Sequence, residues 1–566
     1  MIRLKYFLYF FAAGTVLLSS TGCKKYLDVN KNLNDPTTVP VSTLLTASER
    51  SIGGNFALGT GLGNGLGAYT HQITGRASFD RYSMTGPNMD GAWFSLYQAL
   101  SNVDVIIQQG TAEGRLTYAG IAKILKAYTF SMMVDIWGDI PYSEFNQFKS
   151  GVEQPVFDND ATIYPKLIAL LDEGIADINN PAVNPSKPGA DDLIYGGNAG
   201  RWVKAANTIK LKLYTQMRLV QNVSAQVTAL LANPAQLINA QNESFLLPFG
   251  PFGATDDRYP GYGDYTGTQR GGQLVSPWLY EMMKGLNPAI YAGVPDPRIP
   301  YYMYNQKTAT GTPENRTEYR DGGYISIVFG SSGPYRDGSN SNTYTLLGIY
   351  PVGGRYDDGA GTSISGTGPS GPATAGTGAA PQRLLTYADR LFLEAELIHV
   401  GLAPGNARTV FSAAVDASFA QVDYVISTYI KTVNQTIPVL ATSAASATYK
   451  TDVMNAYDAG STARKLEHIM TQKWLSRFGN SVDNYTDYRR TGYPVMFDPN
   501  NPAQAPGGFV QPPINGNFQV IPQERIPVAN PIAYPESLPW SQSEIEFNKN
   551  APAQKAPATY KVFWKP

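Results

Sequence analysis

One cysteine and three histidines are all that 566 residues hold for thiol or soft-metal chemistry. A lone cysteine excludes an internal disulfide and a thiolate cluster. His71, His399 and His468 lie far apart in sequence, which makes a zinc site a poor reading. Charge is scarce as well: 16% of residues are charged, against a globular average of about 25%. The formal net charge is −1, with none of the basic footprint of a nucleic-acid binder. Beyond the first two dozen residues no apolar run approaches the length of a membrane-spanning helix. There is no Gly-x-x-x-x-Gly-Lys-Ser/Thr phosphate loop, no His-Glu-x-x-His and no Gly-x-Ser-x-Gly elbow.

What is present is a large core and many turns. Hydrophobic residues make up 43% of the chain, enough to exclude global disorder. Gly 55 and Pro 40 together are about one residue in six, and Tyr 36 is high for a chain so short of charge. The first 22 residues have basic Arg3 and Lys5, an apolar run from Tyr6 to Leu18, and small residues before Cys23. That order describes a secretory leader. With the only cysteine at the cut, it resembles a bacterial lipobox, whose thiol is acylated. Residues 1–22 therefore read as a lipoprotein signal peptide, 23–40 as a polar tether anchored through Cys23, and 41–566 as a single binding domain.

Helical stripes recur through that domain. Ile121, Leu125, Tyr128 and Met132 share one face, as do Ile163, Leu167, Leu170, Leu171, Ile175 and Ile178. Trp202, Ala206, Ile209, Leu213, Met217 and Val220 form a third stripe. Leu384, Ala388, Leu391, Ala395 and Ile398 form a fourth, and Leu466, Met470, Trp474 and Phe478 a fifth. Shorter candidates lie at 92–108, 274–285 and 404–430. Gly138 and Pro141 predict a helix stop, Ser276-Pro277 a capped start, and Asp158-Asn159-Asp160 a cap for a helix at 161. Gly59-Thr60-Gly61-Leu62-Gly63-Asn64-Gly65 follows no apolar strand and reads as a flexible loop. Little β alternation is visible. The expected fold is all-α, built from about four tetratricopeptide-like helix pairs with a large irregular, loop-rich part packed over them.

Between about 250 and 380 the helical pattern stops and tyrosines and glycines accumulate. The end of this stretch, Gly353 to Ala380, reads as a flexible surface loop. Carboxylates suited to glycoside hydrolysis also need weighing. Asp389, Glu394 and Glu396 share one predicted helix, and Asp135, Asp139 and Glu144 cluster at a helix end. For both groups, capping and ion pairing with Arg390, Arg489 or Arg490 is the favoured reading.

Several motifs then converge. Asp135-Ile136-Trp137-Gly138-Asp139-Ile140-Pro141-Tyr142-Ser143-Glu144 resembles the hallmark of SusD/RagB-like outer-membrane lipoproteins. So do Ile194-Tyr195-Gly196-Gly197 followed by the run Trp202 to Leu211, and Asp296-Pro297-Arg298-Ile299-Pro300. The helix Tyr387 to Glu396 is similar to the family's Tyr-x-Glu-x-x-Phe-x-x-Ala-Glu segment, with Asp389 in place of Glu. Gln472-Lys473-Trp474-Leu475 with Asp487-Tyr488-Arg489-Arg490-Thr491-Gly492-Tyr493-Pro494 completes the set, in family order.

The resemblance implies a surface-exposed, lipid-anchored outer-membrane protein that binds an oligo- or polysaccharide nutrient and caps a SusC-like TonB-dependent transporter. It implies no catalysis and no cofactor. A peptide ligand is the alternative within the same uptake type, and a surface glycoside hydrolase a more distant one. The hallmark motifs are expected to serve packing and the transporter-facing surface. Ligand contacts are expected from loop aromatics on which a sugar ring can stack. These are Phe79 and Tyr82 in the first loop, and Tyr259, Tyr262, Tyr265, Tyr324 and Tyr356 in the long insertion. Asp264 and Arg270 are candidate polar partners.

Overall fold

The computed structural model describes residues 39–75, 78–182, 185–266, 272–308, 318–329, 342–364, 375–431, 434–496, 509–510, 526–527 and 532–566. The leader, Cys23, the tether up to residue 38 and Arg270 lie outside them. In the first half of the chain the longer helices are α1 (Val41–Asn55), α2 (Gly61–Tyr69), α3 (Gly86–Ala112), α4 (Leu116–Trp137), α5 (Asp160–Ile178), α6 (Ala199–Met217) and α7 (Ser224–Leu231). In the second half they are α8 (Pro277–Lys284), α9 (Tyr387–His399), α10 (Ala407–Val425), α11 (Ala444–Ala459), α12 (Thr462–Ser476) and α13 (Ser481–Thr491), followed by the short α14 (Gln542–Phe547). The fold is all-α. Its β content among the described residues is a set of two-stranded antiparallel ladders, each two to four residues long.

Packing follows the chain. Among the described residues, helices α3 and α4, α5 and α6, α9 and α10, and α11 and α12 pack as neighbours in sequence, four pairs. Helix α6 then packs on α9, which joins the first two pairs to the last two. Helix α4 carries apolar residues all round and is buried nearly throughout, as such a helix must be. It meets α5 through backbone: a Cβ on Gly120 would lie 2.6 Å from the Gly174 carbonyl oxygen, and one on Gly174 2.9 Å from that of Gly120.

Local capping bears out several readings. The Ser276 hydroxyl accepts from Trp278 N at 3.2 Å, and the Asn159 side chain accepts from Ala161 N at 3.2 Å. Gly138 ends α4 with φ 71. Other expectations need correction. The stripe from Leu384 is not wholly helical: Gln382–Leu385 pairs as a strand with Phe245–Leu247. The helix begins only after Thr386, which caps Asp389 N (3.1 Å) while Asp389 accepts from Thr386 N (2.8 Å). The glycine run at 59–65 is not a loop but opens α2, with Leu62 and Leu66 buried. Its glycines serve close approach, since a Cβ on Gly63 would lie 2.0 Å from the Ala57 carbonyl oxygen. The stretch Gly353 to Ala380 is only in part a surface loop where it is described: Asp358, Gly359, Ala360 and Thr362 are exposed, but Gly353, Ala375, Ala379 and Ala380 are buried.

The helix pairs are pinned by charge. Five buried carboxylates, Asp135, Asp389, Glu396, Asp483 and Asp487, are gathered with five buried or nearly buried cations, Lys212, Arg218, Lys473, Arg477 and Arg490. Glu396 takes a two-pronged contact from Arg490, whose Nη2 lies 2.8 Å from Oε2. Arg218 Nε donates to its other oxygen at 2.8 Å. Asp487 is paired with Lys473, Arg477 and Arg490, each at 2.8 Å. Arg477 also binds Asp389 at 2.6 Å, and Lys212 binds Asp483 at 2.8 Å. These residues sit on α4, α6, α9, α12 and α13 or at their ends, so the web spans both halves of the scaffold.

Burial alone would raise the Glu396 carboxyl, but Arg490, Arg218 and Lys473 outweigh it and hold it well below the usual carboxylate range. A depressed folded value contributes stability above the unfolded value of about 4.3 and loses it as pH falls towards the folded one. Glu396→Gln is therefore expected to destabilise the protein by about 3–5 kcal/mol at pH 7. The gap to wild type should narrow below about pH 4. Thermal melts at both pH values check this, and equal melting at pH 7 would refute the role of the web.

Candidate ligand-binding site

The loop tyrosines come first, because the sequence nominates them. The structure does not leave them on the surface: Tyr259, Tyr262, Tyr265 and Tyr324 are each at most 2% exposed. Tyr265 donates its hydroxyl to the Leu347 carbonyl at 2.7 Å, and Tyr262 donates to that of Gly376 at 2.9 Å. Tyr324 donates to the Val275 carbonyl at 2.7 Å, its ring stacked on Tyr280 with centroids 3.7 Å apart. Tyr259 accepts from Leu58 N at 3.0 Å and bonds Gln382 Oε1 at 2.9 Å. Burial pushes the Tyr262 phenol up to about 12, so it stays a neutral donor. The physical reason is plain. An irregular layer with few ladders leaves backbone carbonyls unpaired, and tyrosine brings an apolar ring together with one hydroxyl that satisfies them.

The remaining nominees divide. Tyr82 is also buried, with φ 60 and its hydroxyl 2.8 Å from His71 Nε2. Asp264 is buried and accepts from Gln273 N at 3.0 Å. Phe79 packs half-buried against the core, and Tyr356 sits half-buried against the Tyr301 ring, centroids 4.9 Å apart. Stacking by Tyr82, Tyr259, Tyr262, Tyr265 and Tyr324 is therefore corrected: none has a free face for a ligand.

The carboxylates weighed for catalysis are engaged in the scaffold. Asp389 and Glu396 belong to the ion web, and Glu394 pairs with Arg390 at 3.0 Å. Asp139 accepts from Asp160 N and Glu144 from Val156 N, at 2.8 and 2.9 Å. Among the described residues no group of three His, Cys, Asp or Glu is placed to hold a metal ion.

An open groove of ≈ 520 Å3 lies elsewhere, between α3, α14 and the turns that link α4 to α5. Asp90, Trp93, Phe94 and Tyr97 fall at intervals that put them on one side of α3. Ser541, Ser543, Glu544 and Phe547 line it from α14 and its cap, and Pro141, Phe145 and Pro155 from the turns. Trp93, Tyr97 and Phe145 interlock, with successive centroids 5.1 Å apart. Phe94 and Phe547 keep their faces free, 68% and 78% exposed.

The walls are fastened by hydrogen bonds. Asp90 accepts from Ser541 Oγ (2.6 Å), Ser543 N (3.1 Å) and Ser543 Oγ (3.0 Å). Burial pushes its carboxyl up, but these donors outweigh it and hold it below its ordinary value. Tyr97 donates to the Pro141 carbonyl at 2.8 Å. Asn548 donates to Pro155 O at 2.8 Å and to Glu544 Oε1 at 2.7 Å. A second cavity of ≈ 440 Å3, between the 288–292 turn and the facing ends of α11 and α12, has Tyr291 as its one aromatic ring besides His468. Its guanidinium, Arg464, is already spent on Glu467 and the Ala289 carbonyl.

Sequence periodicity passes over the groove. Its one local signal is Phe94, an aromatic residue beside Trp93 but off the apolar stripe of α3, which runs through Met89, Trp93, Leu96, Leu100 and Val103.

With that geometry in view, a family model described as SusD-like, starch-binding associating with outer membrane, matches residues 33–512. The chain belongs to the SusD-like family. Solved structures agree on the fold. A SusD homolog from Bacteroides uniformis has a TM-score of 0.63 at 17% identity, covering 92% of this chain and 99% of that one. A Bacteroidetes SusD-like protein has a TM-score of 0.64 at 16% identity, covering 93% and 100%. A chitin-binding protein has a TM-score of 0.62 at 19% identity, covering 90% and 95%. No curated protein sequence matches the chain.

The SusD-like assignment and the buried tyrosines make a direct prediction. Tyr265→Ala removes a fully buried ring and should cost about 3–5 kcal/mol of stability. Chemical denaturation reads this, and an unchanged midpoint would return Tyr265 to the surface.

Proposed function

We propose that this SusD-like protein is a cell-surface lipoprotein that binds an oligo- or polysaccharide nutrient and hands it to a SusC-like TonB-dependent transporter. The observation that carries the reading is the groove, where two freely exposed phenylalanines stand over an aromatic floor beside carboxylates. Sugar rings present C–H faces that pack on aromatic rings, and their hydroxyls donate to carboxylates. The family's printed association with starch and the outer membrane supports the same reading, as does a chitin-binding protein of the same fold. Cys23 would carry the lipid, and several acyl chains would hold the protein stably where one would not.

Three outcomes follow. The protein without its leader should bind at least one polysaccharide in a panel by calorimetry and release no reducing sugar from it. Binding to peptides alone, or turnover of the polymer, would overturn the reading. In cells, mild-detergent purification should recover a large β-barrel companion at near-equal amount. Cys23→Ala should free the protein from the outer-membrane fraction. A variant that stays there as wild type does would refute the anchor.

A further inference from the structure

The charge of the groove points to a narrower ligand class, an inference that rests on the glycan-binding reading above. The ionisable groups that line it, apart from the neutral phenol of Tyr97, are two carboxylates, Asp90 and Glu544; no Lys, Arg or His is among the lining residues. Two neighbouring cations are already matched. Lys126, whose Nζ lies 6.0 Å from the Phe145 ring centroid, is 2.5 Å from Asp104. Lys166, 5.6 Å from the Tyr142 ring centroid, is 3.8 Å from Asp158. Two exposed lysines stand outside the lining, Lys149 on the turn after Phe145 and Lys549 after α14, with Glu153 and Glu546 exposed a few residues from them in turn. At the Tyr97 hydroxyl, burial and then the Glu544 and Asp158 carboxylates all act to raise the phenol, so the field there is negative.

Size and shape add to this. A volume of ≈ 520 Å3 sits within the range of about 300–1,000 Å3 usual for small-ligand sites. The free rings of Phe94 and Phe547 come from two different elements, which gives a ligand two platforms along one groove. A sugar carrying a carboxylate or sulfate would have to enter with its charge beside Asp90 and Glu544 and no cation among the lining residues to meet it. A neutral sugar meets acceptors for its hydroxyls, and a protonated amino sugar meets two opposite charges.

We propose that the α3–α14 groove is a glycan subsite selective for short runs of neutral or amino sugars, and that it rejects uronate- and sulfate-bearing chains. Phe94 and Phe547 are the stacking platforms, and Glu544 is the specificity-determining carboxylate. Asp90 mainly holds the α14 cap through Ser541 and Ser543.

The test uses the leaderless protein and an array of α- and β-linked six-ring oligomers in neutral, amino and uronate forms. Wild type should bind a neutral oligomer, bind its amino counterpart about two- to fivefold more tightly at low salt, and leave the uronate unbound. That preference should shrink as salt rises, since rim charges are screened. The double variant Phe94→Ala, Phe547→Ala should lose about tenfold or more in affinity for every oligomer. Its thermal melt should match wild type, because both rings are exposed. Glu544→Gln should keep neutral binding and abolish the amino preference. Uronate binding as tight as neutral binding overturns the charge selection. A double variant that binds as wild type does overturns the subsite and leaves the glycan-binding reading intact. A wild type that binds no oligomer on the array, while binding peptides, overturns that reading and the inference with it.

Discussion

Everything in the scaffold depends on keeping a set of buried charges mutually paired. Taking an ion out of water costs several kcal/mol even after relaxation, and only close opposite charges recover it. Glu396 meets that condition through Arg490 and Arg218, and Asp487 through Lys473, Arg477 and Arg490. Arg218–Glu396 and Lys212–Asp483 join helices from opposite halves of the chain, so a shift of one half against the other would strand a charge in the interior. Apolar packing tolerates small slides, but this web does not. It gives the stacked helix pairs one register, and it explains how a chain with so few charged residues places many of them inside.

The family motifs take on a physical meaning in this light. Asp135 is bound by Gln216 at 2.8 Å and by Trp564 Nε1 at 2.9 Å, with Tyr164 beside it. Arg298 is fully buried, held by Asp296, by Gln472 at 3.0 Å and by Ser418 at 3.3 Å. Asp192, next to the Ile194–Gly197 motif, accepts from three backbone N–H groups and from Trp202 Nε1 at 2.7 Å. These are interior joints of the scaffold, not surface contacts.

Helices with a clear 3.6-residue stripe, such as Asp160–Ile178 and Thr462–Ser476, could be read from the sequence because periodicity reports burial on one face. Helix α2 could not, because glycines fill much of its buried face between Leu62, Leu66 and Tyr69, and a glycine-rich run reads as a loop. Helices α11 and α13 mix polar and charged residues with few apolar ones, and α13 buries its charges in the ion web. The tyrosines of the irregular layer misled for a related reason. Composition shows that an aromatic residue is in a loop, but only the unpaired carbonyls around Tyr265 or Tyr324 decide that it turns inward. The groove was hidden because its walls lie more than 400 residues apart: Ser541 reaches Asp90 across 451 positions.

That separation also orders how the molecule is completed. A chain emerging from its N-terminus makes α4 early, yet Asp135 waits 429 residues for the Trp564 indole that helps satisfy it. Until then the most buried helix of the scaffold carries an incompletely met carboxylate, and the groove beside it has only one wall. Long-range closure of this kind delays final locking of α4 until the residues around Trp564 have been made and have folded back onto it.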